Sequence, residues 1–343
     1  MKSILLSLVV SSLALVRVAS AQDMALSLLL LPGEEWKLAF EGVSFADGPT
    51  ADAEGNFYFA EMRSEPPVVW KVSPDGKKSK LVEGTSCSGL KWGPDGKLYA
   101  CVGKDKQLVA FEFPGGKKSV IAEDVQPNDL VVTHKGHIYF TETGKKQVTF
   151  VDVKTGAKKA AYVGVPASPA PADGKKKGGP APYDPNIINA PNGITLSPDG
   201  GTLAVSDARG LYVWAFRVEK DGSLGAGAPY MTMRTPVDPV ATTAANRTPV
   251  YKTTSGGDGM CSDTLGRYYV ATDMGVQVFD PTGRMSGVLP SPSTNKMTSV
   301  GFGGAKRDVL YATCGDKLYA RKVNATGTLF FLPPKAEAPA KKK

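Results

Sequence analysis

Six polar residues open six similar stretches of this 343-residue sequence: Asp47, Ser88, Asn128, Asn192, Asp258 and Thr298. Each of the first five stands eight positions before a glycine (Gly55, Gly96, Gly136, Gly200, Gly266), which is the spacing of an internal repeat. As chemistry, the set offers two carboxylates, two amides and two hydroxyls, with no Lys or Arg at any of the six positions. Brought together, two carboxylates without a cation repel each other and stay poorly satisfied unless water or a metal fills the space between them. A divalent cation resolves that conflict. An all-oxygen set favours a hard ion, Ca²⁺ first and Mg²⁺ or Mn²⁺ next, with Zn²⁺ and Fe²⁺ as further candidates. A water-filled polar channel with conventional hydrogen bonds is the other reading of the same residues.

The elements that would position these residues follow from the repeat. Each unit reads as a short strand, a glycine turn and a second strand rich in Tyr, Phe, Leu and Val, the form of a β-hairpin. The units start 41, 40, 64, 66 and 40 residues apart, and further strand-like stretches follow most of them, such as 68–72, 107–111, 147–151, 276–279 and 317–320. Three or four antiparallel strands recurring at this period predict an all-β fold, a six-bladed β-propeller over residues 22–332, with inserted loops near 157–190 and 230–255. A sandwich does not repeat one hairpin at such a period. A single blade cannot bury both faces, so the blades must stack in a ring, and an N-terminal strand within 26–40 is expected to complete the last one. The first strand of each blade then runs beside the central axis, and the six opening residues collect at one end of the channel.

The remaining composition excludes several functions. Lys2, the apolar run 4–16 and Ala19-Ser20-Ala21 read as a signal peptide over 1–21, which predicts an exported chain, periplasmic or secreted, with no membrane span once it is cleaved. The net charge of +8 becomes +6 when Lys2 and Arg17 leave with it, and much of the rest lies in Lys175–Lys177 and in a disordered Lys/Pro/Ala tail, 333–343. Neither run carries the interleaved aromatics that nucleic-acid binding uses, so no nucleic-acid partner is expected. Four cysteines without a CxxC argue against a zinc or thioredoxin-like site and are read as free, buried residues, although Cys87 and Cys101 could face each other across one hairpin. His134 and His137 flank the Lys135-Gly136 turn, away from the ring. Asp75, Asp95 and Asp199 belong to Pro-Asp-Gly turns.

The sequence resembles the SMP-30/gluconolactonase/luciferin-regenerating family from about 40 to 322. The stretches that carry the resemblance are Asp47-Gly48-Pro49, Gln126-Pro127-Asn128-Asp129, Ala190-Pro191-Asn192-Gly193, Gly257-Asp258-Gly259-Met260 and 298–304. The resemblance implies one divalent metal at the channel mouth held by Asp47, Asn192 and Asp258, with Asn128 at the substrate or metal side. Asp47 departs from the family's usual Glu; its shorter side chain reaches the metal only through a water or a backbone shift. Gln126 departs from the basic residue of some members, which leaves substrate preference open.

The activity implied is hydrolysis of a sugar lactone. The metal would polarise the lactone carbonyl, Asp258 would accept the proton of the attacking water, and Asn128, Ser88 and Thr298 would orient substrate hydroxyls. The expected partner is a small-molecule lactone or sugar acid, and the sequence is silent on oligomeric state. A non-catalytic propeller that binds sugar acids or protein partners is the alternative, because one fold hosts many functions.

Overall fold

The computed structural model describes residues 24–164, 183–241 and 249–334. The signal peptide, the Lys175–Lys177 run and nearly all of the Lys/Pro/Ala tail lie outside these residues. Six four-stranded antiparallel sheets are present among the described residues, arranged as the six blades of a β-propeller. The innermost strands are Ala46–Ala51, Gly89–Trp92, Leu130–Val132, Pro191–Leu196, Met260–Ser262 and Met297–Gly303. Each packs against the innermost strand of the next blade, and the sixth packs against the first, which closes the ring.

The last blade explains how closure is held. Met297–Gly303, Val309–Cys314 and Lys317–Lys322 supply three of its strands, and Lys37–Glu41 from the beginning of the chain adds the fourth by antiparallel pairing with Lys317–Lys322. Phe40 on that strand sets its ring against Phe59 and Trp70 of blade one, at centroid distances of 5.3 and 5.0 Å. The N-terminal strand therefore joins blade six by hydrogen bonds and blade one by apolar contact.

Burial on both faces accounts for the continuous apolar second strands. Phe57–Glu61, Leu98–Val102 and Tyr268–Thr272 are buried at every residue, whereas an outermost strand such as Lys78–Glu83 is mostly exposed. Among the described residues the core divides into six apolar clusters, one at each blade interface; Ala60 and Val69 meet Leu90 and Leu98 between blades one and two, for example. Burying a large apolar side chain is worth about 1.5–3 kcal/mol, so these interfaces rather than the isolated hairpins hold the ring together. The repeat glycine has an equally local cause. Gly55 turns the first hairpin at φ 84°, a left-handed conformation that disfavours any side chain.

The chain leaving blade six crosses the end of the channel opposite the ring residues. Gly327 N–H donates to Arg307 O (2.9 Å) and Thr328 N–H to Ser262 O (3.1 Å), while Phe330 and Phe331 line the channel together with Val131 and Thr195. The channel is thus capped at that end.

Candidate functional site

A local irregularity shared by all six blades aims the predicted residues. At the channel mouth, each opening residue and the one after it lie opposite a single residue of the second strand, a β-bulge that redirects a side chain away from the sheet's alternation. The opposing residues are Ala60, Cys101, Thr141, Ser206, Ala271 and Thr313, all small and all buried. Hydroxyls in and beside this layer stitch neighbouring blades together. Ser88 Oγ donates to Asn128 O (2.6 Å), Thr141 Oγ1 to Asn192 O (2.6 Å), Ser206 Oγ to Asp258 O (2.9 Å), and Thr298 Oγ1 to Ala46 O (2.7 Å). Gly259 N–H completes the fifth interface on Thr298 O, at 2.8 Å. The six opening residues therefore follow one another around one mouth.

Glycine after the opening residue is a steric requirement of this stitching. A Cβ on Gly193 would overlap the Asp258 carbonyl oxygen, and one on Gly48 would approach the Ser88 carbonyl oxygen to 2.7 Å. Asp207 fixes the approach to Asn192 from the other side, since its carboxylate accepts the N–H groups of Asn189 and Ala190, both at 2.9 Å.

The side chains differ in what they have left to offer. The amides of Asn128 and Asn192 are half-buried and have no hydrogen-bond partner among the described residues. Asp258 is 6% exposed. Burial drives its carboxyl up to about 6 against the pull of Lys296. Burial and then the charge of Asp258 hold Asp47 well above the usual carboxylate range, and Gly48 N–H donates to its Oδ1 at 2.9 Å. Two carboxyls thus sit in one another's field. Thr298 is turned away: it is 1% exposed, with its hydroxyl on Ala46 O and Thr313 Oγ1 (2.7 Å each). It serves the wall between blades six and one, which corrects the expectation that it orients substrate hydroxyls. Ser88 also uses its hydroxyl proton within the wall, where it steadies Asn128.

Three charged residues went unrecognised in the sequence. Lys296 Nζ lies 2.7 Å from Asp258 Oδ2, so the mouth does contain a cation, contrary to the expectation from the opening positions. It stands two residues before Thr298, outside the repeat position that drew attention. Asp129 occupies a place where four other blades have glycine, which is the signal that could have marked it. Buried, it accepts N–H groups from Leu130 (2.8 Å) and Ile194 (3.3 Å). Burial raises its carboxyl, and Lys91 Nζ stands 3.8 Å away. Lys91 in turn donates to Pro49 O at 3.1 Å, tying blades one, two and three together inside the channel.

Among the described residues no group of three or more His, Cys, Asp or Glu could hold a metal, so any ion at the mouth would depend on the Asn amides as well. The four cysteines are free. His134 and His137 border a cavity of about 610 Å³ between the opposite face and the C-terminal segment, away from the ring. No helix among the described residues is long and apolar enough to cross a membrane. The described parts of the two long insertions, 183–190 in the first and 233–241 with 249–257 in the second, connect an outermost strand to the next opening residue at the mouth. There Arg234 and Gln277 exchange two hydrogen bonds of 2.8 Å, and Lys252 Nζ approaches Asp273 Oδ2 to 3.4 Å.

Comparison with known proteins agrees with this architecture. Residues 45–316 match the family described as SMP-30/Gluconolactonase/LRE-like region. Among solved structures, the chain is similar to a gluconolactonase from Xanthomonas campestris, 18% identical, with 88% of this chain and 93% of that one covered and a TM-score of 0.67. It is also similar to the calcium-binding protein regucalcin from Agrobacterium tumefaciens (17% identical, 87% and 98% covered, TM-score 0.64). A luciferin-regenerating enzyme is 15% identical, with 87% and 99% covered and a TM-score of 0.62. These likenesses show the fold. Comparison with curated protein sequences returns no match.

Proposed function

Because the chain belongs to the SMP-30/gluconolactonase/LRE-like family, we propose that it is a divalent-metal-dependent hydrolase that opens a sugar lactone at the mouth of its channel. The observation that carries this reading is the combination at one mouth of two carboxyls held high by burial, that of Asp47 also by the charge of Asp258, with two half-buried amides that have no partner among the described residues. Those donors fit a hard divalent ion, with Ca²⁺ the first choice. Asp47, Asn192 and Asp258 would hold it, and Asn128 borders the same space. Once bound, such an ion supplies Lewis-acid polarisation of the lactone carbonyl and stabilises the negative charge that develops on its oxygen.

The chain's own residues account for the remainder. Asp258, with a carboxyl raised to about 6, is ionised at neutral pH yet basic enough to take a proton from a water attacking the carbonyl carbon. As the ring C–O bond breaks, that proton passes to the departing alkoxide, leaving a hydroxy acid. Asn128, steadied through its carbonyl by Ser88 Oγ, presents its amide to substrate hydroxyls. The capped far end makes the mouth the route of entry, so the rim residues there, Arg234, Lys252 and Asp273 among them, select among lactones.

A pH-stat assay with glucono- and other aldonolactones tests the proposal. Turnover above the spontaneous rate, lost with EDTA and restored by Ca²⁺ or another divalent ion, is expected; no turnover with any lactone under any metal contradicts it. We also propose export of the chain, on the strength of Lys2, the apolar run 4–16 and Ala19–Ala21; N-terminal sequencing should find a mature start near Gln22.

A further inference from the structure

We propose that Lys296 is a tethered cation that stands in for the divalent ion in the free protein and sets how tightly that ion binds. The inference rests on the metal reading above. Its ammonium lies 2.7 Å from Asp258 Oδ2, while the other oxygen, Oδ1, accepts Gly259 N–H at 3.1 Å. Both oxygens of the carboxylate are therefore occupied. An ion that takes Oδ2 must displace the ammonium, and one that binds beside it meets a like charge at contact distance.

Charge balance points the same way. Asp47 and Asp258 bring two negative charges to the mouth, and Lys296 returns one; its field acts on Asp47 as well as on its direct partner. A divalent ion would neutralise the pair fully, leaving the lysine superfluous there. The lysine is also free to leave. Its side chain is 54% exposed, it stands at the end of the irregular segment 291–296, and Asp258 is the sole partner that holds it among the described residues. Asp273 on the rim follows Asp258 and Asp47 among the carboxylates in its field and offers the displaced ammonium a second position outside the pair.

Lys91 shows the contrast. It is 21% exposed and donates to a backbone carbonyl within the channel, beside Asp129, so it is fixed in the wall. Of the two cations close to the central carboxylates, only Lys296 combines a direct contact to a proposed ligand with a path to solvent.

Calorimetric titration of Ca²⁺ into EDTA-stripped, full-length protein tests the inference, with wild type compared to Lys296→Met, Lys296→Gln and Lys296→Arg. Removing a charge-assisted hydrogen bond that the ion must otherwise break should tighten binding by about tenfold to a hundredfold in the Met and Gln variants. Lys296→Arg keeps the competing charge and should stay within about threefold of wild type. In the absence of metal, the Met variant should melt below wild type, because its two carboxylates lose their counter-charge, and Ca²⁺ should raise its melting temperature by more. Wild-type binding with unchanged or weaker affinity in Lys296→Met and Lys296→Gln overturns the lysine's role and leaves the metal reading standing. Failure of every protein to bind Ca²⁺, Mg²⁺, Mn²⁺ or Zn²⁺ overturns both.

Discussion

Replacing Asp258 by Asn should stabilise the metal-free protein at neutral pH, an unusual expectation for a buried residue at the centre of a site. Burial raises the Asp258 carboxyl to about 6, against 3.8 for an ordinary aspartate. Below about pH 4 the group is neutral in both folded and unfolded chains and contributes nothing. Between about 4 and about 6 the folded state keeps a proton that the unfolded state has lost, so stability falls as pH rises through that window. Above it the cost is complete, roughly 3 kcal/mol for a shift of about two units at 1.36 kcal/mol each. Asn removes the charge while preserving shape. Lys296 loses its partner, but its pull is already contained in the shift to about 6, so the net gain stays at roughly 3 kcal/mol. Urea denaturation of EDTA-treated wild type and Asp258→Asn, followed from pH 4 to 8, reads the difference directly. It should be near zero at pH 4 and reach roughly 3 kcal/mol in favour of Asn at pH 7.5. A variant less stable than wild type at pH 7.5, or a difference that does not change with pH, would refute the reasoning.

Two further substitutions probe how the ring is built. Gly193→Ala places a methyl group on the Asp258 carbonyl oxygen, so the mouth must open between blades four and five. A loss of about 1–3 kcal/mol in urea denaturation is expected, together with loss of Ca²⁺ binding by calorimetry. Phe40→Ala removes a buried ring that bridges the closing strand to Phe59 and Trp70 of blade one, and should cost about 3–5 kcal/mol by the same denaturation measurement. Because the residue is remote from the mouth, lactone turnover at low temperature should survive.

Much of this arrangement was legible before any coordinates. The turn glycines at 55, 96, 136, 200 and 266 announce a conformation that other residues adopt poorly, and stretches such as Phe57-Tyr58-Phe59-Ala60 announce strands buried on both faces. Both signals are local and repeat, so the six blades, the closing N-terminal strand and the six opening positions could be read. The electrostatics of the mouth could not. Lys296 reaches Asp258 from a linker of irregular backbone, and its direction depends on where blade five stands relative to blade six. Thr298 resembled its five counterparts in polarity, yet Thr313 opposite the bulge and the Ala46 carbonyl claim its hydroxyl. The layer of small residues was visible in principle: Ala60, Cys101, Thr141 and Ala271 each follow an opening residue by thirteen positions. Their purpose becomes clear only once neighbouring blades are seen to press together there.

The central claim is that one divalent ion is held jointly by side chains from blades one, four and five. Anomalous diffraction from a crystal soaked in Mn²⁺, recorded on either side of the manganese edge, tests it most directly. The account predicts a single strong peak at the channel mouth within coordination distance of oxygens from Asp47, Asn192 and Asp258, with Lys296 swung clear of Asp258. A mouth without a peak while Lys296 still holds Asp258, or a peak elsewhere on the protein, would contradict it.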